Sequence, residues 1–207
     1  ICKNIILALK NKEISHFIYL SSDAVYSDIK AKITENSLTY PKNYHGLMHL
    51  KREKLIEKKF KKKLKIIRPT LIYGQGDPHN GYGPNKFIRQ VKKNKDIQIF
   101  GNGEERRDHV HIDDVSVLIT EIISKNLLGI YNIASGRIVS FSYIARKCIA
   151  LSKSKSKIIK LKRKNKKLPH NGYRPFNIKK IKNILSAKGL TQIENGIKKI
   201  INFNWWK

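Results

Sequence analysis

The sequence predicts an α/β fold in which a doubly wound parallel sheet carries helices on both faces. Residues 17–20 form the apolar run Phe-Ile-Tyr-Leu, which is typical of a strand buried on both faces, and Ser-Ser-Asp ends the run. Residues 41–60 carry an apolar stripe at helical spacing behind Pro41, and residues 64–72 form a second buried strand. Ligands of open α/β sheets bind at the carboxyl ends of the strands, so Ser-Ser-Asp lies where a site is expected.

The predicted elements alternate between helix and strand along the rest of the chain. Residues 1–11 are predicted to be the tail of a helix, and residues 75–84, rich in turn formers, a loop over the site. The Lys-rich segment 152–167 is predicted to be a strand with a solvated face, with docking of an anionic partner as the alternative. The other predictions are a helix at 85–94, strands at 97–99 and 109–112, a helix at 113–125 that begins with Asp113 and is capped by it, and a strand at 129–133.

Composition indicates a globular protein with one substantial core. The chain has 207 residues, of which 40% are hydrophobic, and its formal net charge is +29. We expect no nucleic-acid partner, because no helix-turn-helix, zinc or RNP pattern accompanies the charge. Cys2 and Cys148 are isolated, as is typical of free thiols in a reducing cytosol, and no apolar run approaches the roughly 20 residues of a membrane-spanning helix. These features predict a cytoplasmic protein without a membrane partner.

Four segments occur in an order that resembles one enzyme family. Residues 21–26 read Ser-Ser-Asp-Ala-Val-Tyr, residues 68–74 read Arg-Pro-Thr-Leu-Ile-Tyr-Gly, residues 101–115 carry Gly-x-Gly before Arg-Arg-Asp-His-Val-His, and residues 129–136 read Gly-Ile-Tyr-Asn-Ile-Ala-Ser-Gly. With Tyr44 they resemble the NAD-dependent epimerases and dehydratases of nucleotide sugars, in the extended short-chain dehydrogenase/reductase family. The resemblance implies an enzyme with a Rossmann-type sheet, NAD or NADP as cofactor and a nucleotide sugar as substrate.

The resemblance also implies a division into two parts. Residues 1–74 and 103–135 would form the carboxyl-terminal half of the NAD-binding domain, and residues 75–102 and 136–207 a small mixed α/β substrate lobe. The family's glycine fingerprint is absent, so the sheet is expected to lack its first βαβ units and, with them, the pyrophosphate-binding half of the cofactor site. We therefore expect a fragment of a longer enzyme, inactive by itself, or half of a split enzyme.

Three residues match catalytic positions of the family. Ser22 would hydrogen-bond the substrate hydroxyl or carbonyl, and Tyr44 would act as general base in oxidation and general acid in reduction. Asp23 stands where the 4,6-dehydratases carry an acid, but Ala24 follows it where those enzymes have glutamate. The resemblance therefore favours epimerase or reductase chemistry over dehydration. A structural serine at the strand end and an aspartate that caps the turn are the alternatives.

The positions expected at the cofactor are Ser21, Tyr44, Met48 and Pro69. The family has a lysine one helical turn after the tyrosine, where it binds the nicotinamide ribose and its charge supports proton transfer. Met48 can do neither, and Lys51 lies near the face of Tyr44 but about 10 Å further along the helix. A second hypothesis is therefore a non-catalytic or degenerate nucleotide-sugar-binding protein.

Five residues match substrate-binding positions of the family. Arg107 and Arg174 would hold the nucleotide diphosphate, because a planar guanidinium can bind phosphate oxygens with two hydrogen bonds. Asn85, Lys86 and Phe87 would line the sugar-nucleotide pocket. For both arginines a structural or surface role is the alternative.

His109 and His111 alternate on one predicted strand beside Asp113 and Asp114, a pattern that could be taken for a metal site. The family match explains this segment without a metal, so we expect none. The resemblance further implies a homodimer when the protein is complete, and a product that could feed a cell-surface polysaccharide.

Overall fold

The computed structural model describes residues 1–78, 80–81, 83–163, 168–185 and 189–203, along which helices and strands alternate. The α-helices are α1 (Cys2–Ala8), α2 (Tyr44–Phe60), α3 (Pro84–Lys92), α4 (Ile112–Ser124), α5 (Phe141–Ser152), α6 (Lys179–Lys182) and α7 (Ile193–Asn202). The strands are β1 (Phe17–Leu20), β2 (Leu64–Pro69), β3 (Leu71–Tyr73), β4 (Ile97–Phe100), β5 (Arg106–His111), β6 (Gly129–Ile133), β7 (Ile138–Ser140), β8 (Ile158–Leu161) and β9 (Tyr173–Arg174). Short 3₁₀ helices lie at Asp23–Val25, Lys61–Lys63 and Pro169–Gly172.

The described strands form three sheets. In the first, β2 lies between β1 and β6, and all three strands run parallel. In the second, β5 pairs in parallel with β3 and β9 and antiparallel with β7. In the third, β4 and β8 pair in parallel. The prediction of an α/β fold with parallel strands is confirmed.

Strand β2 is the centre of the first sheet, and all of its residues are buried. Successive side chains of a strand point to opposite faces, and the two faces of β2 belong to different cores. Ile66 packs in a cluster with Ile56 of α2, whereas Ile67 packs in a cluster with Leu118 of α4. Burial on both faces agrees with the lack of strict alternation in Leu-Lys-Ile-Ile-Arg-Pro, in which the buried Lys65 and Arg68 interrupt the apolar residues.

A separate core joins helices α3, α5 and α7. Its central residues are at most 1% exposed and include Phe87, Ile88, Ile144 and Ile197. In α7 the buried residues Ile193, Ile197 and Ile200 recur at the spacing of one helix face. The same core includes Tyr73, the last residue of β3, whose ring lies against Gly196 of α7.

The predicted strand at 64–72 is wrong as a single element, because the structure has two strands there. Strand β2 belongs to the first sheet and β3 to the second, so the chain changes sheets at Thr70. The backbone N–H of Thr70 donates to the carbonyl of Ile133, which closes the first sheet at this point. Apolar residues occur on both sides of the change, Ile66 and Ile67 in β2 and Leu71 and Ile72 in β3, so the two strands resemble one strand in the sequence.

The prediction that Asp113 begins and caps the fourth helix is also wrong. Helix α4 begins at Ile112, and its N-cap is His111, whose Nδ1 accepts from the backbone N–H of Asp113 at 3.3 Å. The Asp113 carboxylate instead pairs with Lys199 of α7. An acid in the first turn still favours the helix, because it interacts with the positive end of the helix dipole.

Several boundaries and elements differ from the sequence predictions. The first helix ends at Ala8 and not at residue 11 as predicted. The strand predicted at 129–133 has the predicted bounds. Among the described residues of the predicted strand 152–167, only β8 is a strand, and it pairs with β4. Residues 164–167 lie outside the described part.

The division into two domains and the docking of an anionic partner stay predictions. None of the helices in the described ranges is both long and apolar enough to cross a bilayer.

Candidate functional site

The loop after β1 places Ser22 and Asp23 at the carboxyl end of the first sheet. Ser22 is the N-cap of the short helix Asp23–Val25, and its hydroxyl oxygen accepts from the N–H of Ala24 at 3.2 Å. The Ser22 side chain is half-buried. The proposed structural role of this serine at the strand end is therefore real, and it leaves the hydroxyl hydrogen available to a ligand.

Helix α2 brings Tyr44 to the same edge. Asn43 caps the helix, since its side-chain oxygen accepts from the N–H of Gly46 at 2.8 Å. Gly46 lies directly against Ala24, where an added Cβ would meet the carbonyl oxygen at 2.1 Å. The segments that carry Ser22 and Tyr44 are thus in contact, and Tyr44 itself is 91% exposed.

The position one turn after Tyr44 is occupied by the half-buried Met48. The next residue, His49, is turned towards β1, where its Nδ1 lies 2.9 Å from the hydroxyl of Tyr19. Burial lowers the pKa of His49, and the charges of His45 and Arg52 lower it further. His49 is therefore uncharged at neutral pH and does not replace the missing cation beside Tyr44.

A buried polar network lies behind this edge of the sheet. Glu53 of α2 accepts two hydrogen bonds from Arg68 of β2, at 2.9 and 2.5 Å, and one from the Ser21 hydroxyl at 2.5 Å. Arg68 also donates to the hydroxyl of Tyr26 at 2.8 Å, and Tyr26 donates to Asn132 at 2.7 Å. This network joins α2, the end of β1, β2 and β6.

Sequence reasoning missed Glu53 and Arg68. The signal was present, because Glu53 lies three residues after Leu50 and three before Ile56, on the apolar stripe of α2. A carboxylate at a core position requires a buried partner. Ser21, predicted at the cofactor, is 5% exposed and its hydroxyl is committed to Glu53; Pro69, the last residue of β2, is also buried.

The two predicted phosphate-binding arginines meet at Asp23. Arg174 is 1% exposed, and its Nε donates to Asp23 Oδ2 at 2.9 Å while its Nη1 donates to Asp28 at 3.0 Å. Arg107 Nη2 lies 3.9 Å from the same Asp23 oxygen, and its Nη1 lies 3.4 Å from Glu105. Arg174 thus anchors the loop after β1, whereas Arg107 makes longer contacts.

A cleft lies beside β3, the start of α3 and His109 of β5. Asn85 lines it, but its side chain is already bonded to the N–H of Gly74 at 3.2 Å and to Asp77 at 2.8 Å. Lys86 is half-buried, and Phe87 is 0% exposed in the core between α3, α5 and α7. The position of Phe87 gives no support to a direct ligand contact. The cleft walls also include Leu71, Tyr73, Gly83 and His109.

His109 and His111 lie side by side on β5 but are buried among rings. His109 packs edge-on against Phe141, with centroids 5.5 Å apart, and His111 against Tyr73 at 5.1 Å. Burial lowers the pKa of His109 to about 3, and the neighbouring charge of Arg107 adds to the effect. Within the part of the chain that the structure describes, no group of three or more His, Cys, Asp or Glu side chains could hold a metal.

Comparison with known proteins identifies the family. A model of the NAD dependent epimerase/dehydratase family matches residues 1–134, and the chain belongs to this family. It is 30% identical over 159 residues to the dTDP-D-glucose 4,6-dehydratase of Dictyostelium discoideum, covering 69% of this chain and 36% of that protein. It is 29% identical over 208 residues to the mouse protein of the same name, covering 94% and 58%.

Solved structures show the fold. The UDP-glucuronic acid 4-epimerase of Bacillus cereus, solved with UDP-glucuronic acid and NAD, superposes with a TM-score of 0.82 at 22% identity. The alignment covers 97% of this chain and 64% of that one. The chain thus has the Rossmann-type fold of these epimerases and spans roughly a third to two thirds of the length of these relatives.

Proposed function

We propose that this chain is part of an NAD-dependent enzyme that acts on a nucleotide sugar, as an epimerase or reductase rather than a 4,6-dehydratase. The observation that carries the proposal is the contact of Gly46 with Ala24, which joins the segments of Tyr44 and Ser22 at the carboxyl edge of the first sheet. Arg107 lies at the same edge through its contact with Asp23. A hydroxyl pair beside an arginine suits a substrate that combines a sugar with a diphosphate.

The chain's own residues would handle protons and position the sugar. Tyr44 would take the proton from the sugar hydroxyl during oxidation and return it during reduction, while Ser22 would donate a hydrogen bond to the same oxygen. When bound, the nicotinamide would supply the acceptor and donor of hydride. Tyr44 is 91% exposed and Leu20 of β1 is 51% exposed, so this side of the sheet has accessible surface that a cofactor could cover. NAD or NADP would contact Tyr44 and Met48 there.

The surroundings of Asp23 favour epimerisation or reduction. Elimination of water needs an acid that can give a proton to the leaving hydroxyl. Asp23 already accepts from Arg174 at 2.9 Å and lies beside Arg107, so it would have to leave both arginines to do so. Ala24 supplies no second acid.

Titration calorimetry with nucleotide sugars tests the proposal. UDP-glucose, UDP-glucuronic acid, dTDP-glucose and ADP-glucose would be titrated separately into the chain. We expect at least one of these sugars to bind. Arg107→Ala should lower the affinity for that sugar at least tenfold, because a charged contact to the phosphate is lost. Arg106→Ala is the matched control, since Arg106 is exposed on the same strand. Absence of binding to all four sugars would contradict the proposal.

A second candidate function is that of a non-catalytic nucleotide-sugar binder, and Met48 favours it. Met48→Lys would restore a cation one turn after Tyr44. In the complete protein, a large gain in turnover with unchanged substrate affinity would indicate an impaired catalytic site, whereas a loss would mean that Met48 belongs to a working variant. Turnover would be measured by proton NMR of the sugar signals, with Lys54→Met as the control at an exposed site on the same helix, away from the face of Tyr44.

The remaining expectations stay predictions. These are the homodimer of the complete protein, the half of a split enzyme, the cytoplasmic location and the supply of a cell-surface polysaccharide.

A further inference from the structure

We propose that His109 binds a sugar hydroxyl of the nucleotide-sugar substrate and so determines part of the substrate specificity. The inference rests on the proposed function and extends it, because it assigns a substrate contact to a residue outside the sets predicted for catalysis, cofactor binding and substrate binding.

The first observation is that His109 is buried without a hydrogen-bond partner. The residue is 3% exposed, and neither Nδ1 nor Nε2 has a partner among the residues that the structure describes. Buried polar side-chain atoms are almost always paired, because losing water without a replacement bond costs free energy. The imidazole is therefore a group for which a ligand could supply the missing bond.

The second observation is where the ring lies. His109 lines the cleft together with Gly83 and Asn85. Gly83 has a φ of +134°, and a Cβ added there would lie 3.9 Å from Nε2 of His109. Nε2 is thus adjacent to a part of the cleft wall that carries no side chain, through which a small polar group could approach it.

The Tyr73 hydroxyl is a second buried group beside the cleft, but a ligand in the cleft could not approach it in the same way. This hydroxyl has no partner in the described part of the chain, but it lies against Gly196 of α7, where an added Cβ would be 2.0 Å from the oxygen. It faces the packed interface with α7, so His109 is the stronger candidate for a ligand contact.

The strand geometry indicates which part of the substrate would reach His109. Arg107 and His109 are two residues apart on β5, so their side chains leave the same face about 6.6 Å apart along the strand. A nucleotide sugar has a sugar ring on each side of its diphosphate. If Arg107 binds the diphosphate, the distance to His109 is that at which one of these two rings would lie. A neutral imidazole has one donor and one acceptor, which matches a hydroxyl group.

The electrostatics agree with this assignment. Because burial lowers the pKa of His109, the ring carries no charge at neutral pH. A neutral ring offers little attraction to a phosphate but can exchange hydrogen bonds with an uncharged hydroxyl. Arg107 supplies the positive charge nearby.

The experiment compares His109→Phe with His111→Phe. Phenylalanine keeps the ring packing against Phe141 but removes both nitrogen atoms. His111 is the matched control, since it is a histidine on the same strand, 0% exposed and absent from the cleft lining. Dissociation constants would be measured for the tightest-binding nucleotide sugar of the panel above and for its nucleoside diphosphate alone.

We expect His109→Phe to raise the dissociation constant of the nucleotide sugar about fivefold to tenfold and His111→Phe to change this constant less than twofold. If His109→Phe binds the nucleoside diphosphate more weakly by the same factor, the hydroxyl that contacts His109 belongs to the ribose. If the affinity for the nucleoside diphosphate is unchanged, that hydroxyl belongs to the hexose. An unchanged affinity in His109→Phe, or an equal loss in both variants, overturns the inference while leaving the proposed function standing. Failure of the unaltered chain to bind any sugar overturns both.

A second measurement does not depend on the variants folding. Nitrogen-15 NMR of the histidine rings in the unaltered chain would be recorded before and after addition of the same nucleotide sugar. A shift of the His109 ring nitrogens, larger than that of His111, supports the contact. Unchanged His109 signals at saturating ligand overturn it.

Discussion

Glu53 and Arg68 form a fully buried ion pair whose side chains are each 4% exposed. Such a pair gains little net stability from its charges, because removal of both groups from water offsets the attraction. Here the pair has a further consequence, since the same carboxylate accepts from Ser21, the neighbour of Ser22. The pair therefore fixes the orientation of α2 relative to the loop that carries Ser22.

Removing one partner of this pair should be much worse than removing both. We expect Arg68→Met to lower the free energy of unfolding by about 3–5 kcal/mol, because Glu53 would remain buried and unpaired. The double variant Arg68→Met with Glu53→Leu should recover most of this loss. Urea unfolding of the two single variants and the double variant provides the measurement.

The control is Ser21→Ala, which deletes one neutral donor to the same carboxylate. It should cost about 1–2 kcal/mol, since Glu53 keeps both bonds from Arg68. If the double variant were as unstable as Arg68→Met alone, the loss would not arise from an unpaired charge.

At the scale of elements, the contact between α2 and the short helix Asp23–Val25 depends on a glycine. Gly46 is buried in the first turn of α2, and the carbonyl oxygen of Ala24 occupies the place of its missing Cβ. Backbone atoms cannot move aside as a flexible side chain can. A larger residue must therefore separate the two helices and, with them, Tyr44 and Ser22.

We expect Gly46→Ala to destabilise the protein by about 1–3 kcal/mol, although alanine is normally the better helix former by about 1 kcal/mol. The clash wins because the added carbon would lie 2.1 Å from a carbonyl oxygen. Gly81→Ala is the control, since no atom of the described residues lies within 4 Å of a Cβ at that position. The midpoint temperatures of thermal unfolding of both variants test this expectation. Equal midpoints for Gly46→Ala and the unaltered chain would contradict it.

Helices and strands with a strong local pattern could be predicted from the sequence. The run at 17–20 and the stripe at 41–60 correspond to β1 and α2, because their periodicity reflects burial on particular faces. The change of sheets at Thr70 could not be predicted, since isoleucines occur on both sides of it and no glycine separates the two strands. The cap of α4 was missed because histidine is an uncommon N-cap and Asp113 a common residue for that role.

At the scale of the whole molecule, the candidate site combines residues from distant parts of the chain. Asp23, Arg107 and Arg174 come together, although more than 60 residues separate each from the next along the sequence. The motifs predicted each arginine singly. Their shared aspartate could not be predicted, because it depends on the pairing of β9 with β5, and β9 is too short to leave a periodic signal.

The stability of the whole molecule should depend on pH through His109. The folded pKa of His109 is about 3, below the unfolded value near 6.5, so the unfolded chain binds more protons between these values. The stabilisation from the neutral ring is therefore complete above pH 6.5 and is lost as the pH falls towards 3. At about 1.4 kcal/mol per pH unit, the unaltered chain should lose about 2 kcal/mol from this residue between pH 7 and pH 5. Because His109→Phe lacks this ionisation, its loss over the same interval should be smaller by that amount. Urea unfolding at both pH values measures the difference, in which the contributions of the other ionisable groups cancel, and parallel losses would show that His109 titrates normally in the folded protein.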